Sequence, residues 1–162
     1  ILLITPMALN FILVPINTSF LANKKYTQIK NVTLKAIMFL ALLNIIPLTI
    51  FLILPKHTIA LLFSHTYSSA ALPLQILAIG YFINSLTAPY LKILNVVEKT
   101  KTVLLITAAT ASINIILNIA LIPVYSITGA AIATTTSFIA SSLLTIIITT
   151  KHLKTQLYSL QT

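Results

Sequence analysis

Residues 36–55, running from Ala36 to Pro55, read AIMFLALLNIIPLTIFLILP, 20 positions without an Asp, Glu, Lys or Arg. A bilayer core needs about 20 apolar residues per helix. A strand of a membrane barrel would instead alternate apolar and polar residues over about ten positions, and this run shows no such alternation, so helix is the reading. Four further runs lack acidic and basic side chains in the same way: 1–20, 71–91, 103–123 and 128–150. The fold class is therefore all-α integral membrane, with five predicted transmembrane helices.

Composition agrees. The 162-residue chain is 58% hydrophobic and 7% charged, with a mean hydropathy of +1.05. A soluble domain carries about 25% charge, so a water-facing surface could not be built from these residues. The charged set is ten lysines and Glu98. A net charge of +9 raises the question of nucleic acid, but nucleic-acid binders mass their basic residues on one folded face. Here the lysines punctuate the apolar runs, so no nucleic-acid partner is expected and the bilayer is the partner. Cysteine is absent, which excludes disulfides, thiolate metal sites and cysteine nucleophiles. The first residue is Ile1, inside an apolar run and with no charged leader. The expectation is a C-terminal membrane domain, 1–162, of a longer protein.

Orientation follows from the lysines. Segment 21–35 holds Lys24, Lys25, Lys30 and Lys35, segment 92–102 holds Lys92, Lys99 and Lys101, and the tail holds Lys151 and Lys154. These nine share one side, against Lys56 alone on the other. Short cytoplasmic loops collect Lys and Arg, so the C-terminus is expected in the cytoplasm of a multi-pass cell-membrane protein. Segment 56–70 is then an outer interfacial segment whose apolar stretch Ile59–Phe63 suggests a short helix. Tyr26, Tyr67, Tyr125 and Tyr158 fall at interfaces, where amphipathic rings are favoured.

No run contains an acid, a base or a histidine, which argues against a proton relay within these helices. Amides and hydroxyls take their place. Asn10, Asn44, Asn84 and Asn114 each lie mid-run, and Asn118 is one turn from Asn114. Helical spacing puts Thr107, Ala111, Asn114 and Asn118 on one stripe and Gly80, Asn84 and Ala88 on another. Two readings stand: interhelical hydrogen bonds, or the lining of a hydrated cavity for a polar ligand. Asn44, Asn84, Asn114 and Asn118 are the candidate pathway residues under the second. In the last run Gly129, Ala133, Ser137, Ser141, Thr145 and Thr149 form an i,i+4 row of small residues that permits close helix packing, with a hydroxyl-lined cavity wall as the alternative. Pro6, Pro15, Pro47, Pro73 and Pro89 fall within runs and are expected to bend them. Pro47, which frees the carbonyl of Leu43 beside Asn44, is the candidate hinge.

Catalytic chemistry is not expected. His57 and His65 lack a third ligand and read as exposed polar residues, so no metal site and no cofactor is expected. Glu98 stands beside Lys99 and Lys101 in a turn, where a surface ion pair is the default.

Two segments resemble a known family. Residues 63–77 (FSHTYSSAALPLQIL) resemble a feature of polysaccharide flippases in which a Phe-Gly-x-x-Tyr loop and two small residues precede a helix opening Leu-Gln-Ile-Leu. Residues 114–134 (NIILNIALIPVYSITGAAIAT) resemble the same family, whose Asn-rich helix ends in Leu-Ile-Pro before a turn and Gly-Ala-Ala-Ile-Ala-Thr. Ser64 and Ser126 stand where glycine is usual, and His65-Thr66 where an acid is common. The resemblance covers about residues 56–140, and the first fifty residues only in hydropathy and proline placement. It implies the multidrug/oligosaccharidyl-lipid/polysaccharide exporter superfamily, with twelve to fourteen helices in two bundles. The chain would supply most of the second bundle, and N-terminal helices of the same protein would supply the first.

The function so implied is translocation of a lipid-linked oligosaccharide or polysaccharide precursor by alternating access, the lipid-linked glycan being the substrate partner. The alternatives are a drug/cation antiporter of the same superfamily and a non-transporting membrane subunit that packs through the Gly129 row.

Overall fold

The computed structural model describes residues 2–158, with the side chains of Leu62, His65, Lys154 and 156–158 outside that description. Of the residues named above, Ile1 and the side chains of His65, Lys154 and Tyr158 therefore lie outside it. The elements run α1 (Ile4–Ala22), α2 (Tyr26–Ile53), α3 (Pro55–Leu62), a 3-10 segment (His65–Ala70), α4 (Ala71–Val96) and α5 (Thr100–Tyr158). The described residues contain no strand. Four of the helical segments are long and apolar enough to cross a membrane. The last of these is two helices in one. Ser126 has φ 49° and ψ −129°, which is not helical, and divides α5 into arms 100–125 and 127–158. A hydrogen bond from Asn114 to Thr134 joins the arms, so they run antiparallel. Five membrane-length helices result.

The helices outrun the apolar runs. α2 starts at Tyr26, so Lys30 and Lys35, in the segment 21–35 between two apolar runs, lie on a helix. α4 extends through Lys92 to Val96. Hydropathy stops at the first lysine, whereas lysine is itself a good helix former, so the backbone continues past the apolar stretch. The true connections are short and closed alike. Lys25 N–H donates to Phe20 O at 2.8 Å and Lys99 N–H to Leu94 O at 2.8 Å, with Lys24 (φ 54°) and Glu98 (φ 57°) left-handed before them. This is the Schellman ending of a helix.

Prolines separate into two groups. Pro6 and Pro73 are third residues of α1 and α4, where a backbone N–H has no acceptor within its helix. The bend expected at these two is therefore not required. Pro15, Pro47, Pro89 and Pro123 are internal.

Helix α4 packs against every other element. Its two ends sit in apolar clusters. Near its start Ala78 meets Leu2 and Leu48, with Tyr81 and Phe82 alongside. Near its end Ile93 meets Ile29 and Leu153, flanked by Phe20, Tyr26 and Tyr90. Between the clusters the buried side chains mix apolar residues such as Leu40 with polar ones: Asn44, Ser85, Thr87, Ser137, Ser142 and Thr145. The outside is apolar instead, with Phe11, Met38, Leu42, Leu105 and Ile119 exposed. A surface of this kind is stable against lipid, and polar groups inside are tolerated only where they find partners.

Candidate functional site: a polar cleft between α4 and the α5 hairpin

The first arm of α5 presents one stripe toward α4, and the spacing of its residues explains why. Thr107, Ala111 and Asn114 recur at helical intervals, and all three line a cleft with Asn84 from α4 and Thr134, Ser137 and Ser141 from the second arm. Thr110 and Phe138 complete the lining, and the cleft measures about 350 Å³. That lies within the range of small-molecule sites. Every polar group on its wall is an amide or a hydroxyl.

Asn114, on the cleft wall, is linked to Asn118, which lies one turn along the helix and outside the lining. Asn118 Nδ2 donates to Asn114 Oδ1 at 2.9 Å, and Asn114 Nδ2 donates to Thr134 Oγ1 at 3.4 Å. Asn118 Oδ1 is buried without a hydrogen-bond partner. Ser137 Oγ donates to Ala133 O on its own helix at 2.7 Å, so its hydroxyl is partly occupied.

Asn44 is in a different setting. It is 0% exposed, accepts from Thr5 Oγ1 at 2.9 Å and donates to Ser85 Oγ at 3.2 Å. Ser85 in turn donates to Phe82 O at 2.7 Å. This relay joins α1, α2 and α4, next to the proline at position 47. Thr5 and Ser85 were not singled out from sequence, because a lone hydroxyl in an apolar run carries no periodic signal.

The Gly129 row is divided between two surfaces. Four residues turn a helix by about 400°, so an i,i+4 row drifts by about 40° per step. Ser137 and Ser141 consequently face the cleft, while Thr149 Oγ1 donates to Tyr90 O on α4 at 3.3 Å. Ala133 is fully buried between these surfaces. Gly129 answers to its own hairpin: a Cβ there would lie 2.6 Å from the Leu121 carbonyl carbon. The α4 contact belongs to another register. Thr135 Oγ1 donates to Ile76 O at 2.8 Å, Ser142 and Thr87 share a hydrogen bond of 2.9 Å, and Thr149 follows at the same interval of seven.

The MatE family model matches residues 1–120. The chain belongs to the MatE family. Its members are membrane transporters of the multidrug/oligosaccharidyl-lipid/polysaccharide exporter superfamily, and transporters rather than enzymes. The match includes the first fifty residues, where the resemblance of motifs was confined to hydropathy and prolines, and it takes in the α4 wall and the Thr107–Asn114 wall of the cleft. Comparison of this MatE chain with curated proteins and with solved structures returns no match. Among the described residues no group of three or more His, Cys, Asp or Glu comes together to hold a metal.

Proposed function

We propose that this MatE chain forms part of a flippase that carries lipid-linked oligosaccharide or a polysaccharide precursor across the cell membrane by alternating access. One observation supports the reading above the rest: the polar groups of the cleft wall, from Asn84, Asn114, Thr107, Thr110, Thr134 and Ser141, stand beside the apolar Ala111 and Phe138 and include no charged side chain. Amides and hydroxyls both donate and accept, which suits the hydroxyl-rich surface of a sugar. Asn118 does not line the cleft, and reaches it only through the hydrogen bond it donates to Asn114 Oδ1. Asn44, by contrast, has both ends of its amide occupied and acts as a joint between helices.

The sugar head group would pass between this bundle and N-terminal helices of the intact protein, with the C-terminus in the cytoplasm. The Pro47 region would absorb bending as the bundles rock. Family membership is equally compatible with an antiporter exchanging drugs for cations. That mechanism requires an acid within the membrane, which these cleft walls do not supply.

The test is alanine at Asn84 or Asn114 in the intact transporter. Surface glycan is expected to fall while membrane abundance holds. Unchanged glycan together with lost efflux of a cationic dye would give the antiporter reading the cleft instead.

A further inference from the structure

A second cleft, of about 460 Å³, opens at the lysine-rich end of the bundle. It lies where the start of the first α5 arm and the end of the second come together beside the end of α4. Its rim carries Lys99, Lys151, Thr102 and Thr155, and its floor Leu94, Ile147 and Ile148. Glu98, the only acid in the chain, lines not this cleft but a neighbouring one that shares Lys99 and His152 with it. We propose that this cleft binds the phosphate head group of an anionic phospholipid, with an acyl chain laid along Ile147 and Ile148.

The chemistry is divided in the way such a lipid requires. Two ammonium groups and two hydroxyls occupy the rim, where a phosphate can take charge-assisted hydrogen bonds. Lys99 immediately precedes α5, so the phosphate would also meet the positive end of that helix. Below the rim Ile147 is 60% exposed and lies beside Ile148 on the cleft wall, so the groove continues as hydrocarbon surface. A free anion has no use for that floor, whereas basic pockets between membrane helices hold lipid head groups. His152, beyond the last apolar run, stands on the same rim.

The chain would be placed in nanodiscs of phosphatidylcholine and phosphatidylglycerol at 4:1, and the lipids retained on its release counted by native mass spectrometry. Wild type is expected to retain phosphatidylglycerol in preference. Lys99→Gln with Lys151→Gln should weaken that preference about tenfold, while Lys30→Gln with Lys35→Gln, an equal charge change away from the cleft, should leave it intact. Equal losses in the two pairs would overturn the site in favour of general surface charge. Displacement of the lipid by millimolar inorganic phosphate would overturn the lipid in favour of a free anion. Should the first pair fail to fold, a phosphatidylglycerol with a photoreactive acyl chain decides on wild type. Adducts at Ile147 or Ile148 support the proposal, and adducts elsewhere refute it.

Discussion

Lys24, Glu98 and Ser126 have positive φ, while the chain's two glycines, Gly80 and Gly129, do not. Glycine adopts such backbone angles without the steric cost that a Cβ imposes, yet here it is reserved for close approach between helices. The turn at Ser126 therefore carries strain that a glycine would relieve. Ser126→Gly should stabilise the chain by about 0.5–1 kcal/mol, read as a higher unfolding midpoint in detergent by circular dichroism. Asn44→Leu acts in the opposite sense, since it leaves Thr5 Oγ1 and Ser85 Oγ without their partner. Interhelical hydrogen bonds in membranes contribute about 0.6 kcal/mol each on average, so a loss of about 1–2 kcal/mol is expected in an SDS-unfolding titration. A loss near zero would show that Asn44 is not a structural joint. The position of Asn44 within its run was legible in sequence. Its partners were not, because they come from helices 39 and 41 residues away.

At the scale of elements, the pairing of α4 with the second α5 arm sets the geometry of the cleft. Gly80 lets the two backbones approach so closely that a Cβ would lie 2.9 Å from Thr135 Cα. That approach lets Thr135 reach the Ile76 carbonyl. Gly80→Leu should force the helices apart at a cost of about 1–3 kcal/mol, with a cysteine pair across the interface losing its crosslinking yield as the check. Gly129→Ala should disturb the other pairing, because its methyl group would meet the Leu121 carbonyl across the hairpin. Proteolysis at the 123–127 turn is expected to rise in that variant. The small-residue row was visible in the sequence, and so was its slow winding. The side on which each member would land was not, since i,i+4 spacing and the seven-residue register of Thr135, Ser142 and Thr149 overlap along a single helix. Only the position of α4 separates them. The same contact places Ser137 and Ser141 opposite Asn84.

For the whole molecule, the absence of cysteine makes topology directly measurable. With the proposed orientation, Lys56→Cys should react with a membrane-impermeant maleimide in intact cells, whereas Lys25→Cys and Lys101→Cys should react only after permeabilisation. The reverse pattern would invert the transporter. By itself the amino-acid sequence determined that the chain is helical, that it belongs in lipid and that it crosses several times. Those properties follow from hydropathy summed over about twenty neighbouring residues, a local quantity that no later folding step can undo. It also marked the asparagines that would need partners, because a polar group in hydrocarbon is costly wherever it ends up. The tertiary structure decided which asparagine became a joint and which a cleft wall. It decided too that Ser137 and Ser141 face the cleft, and that lysines far apart in the chain share a rim. These outcomes depend on which faces of separate helices meet, and that is set by the close approaches at Gly80 and Gly129 and by hydrogen bonds spanning up to 59 residues.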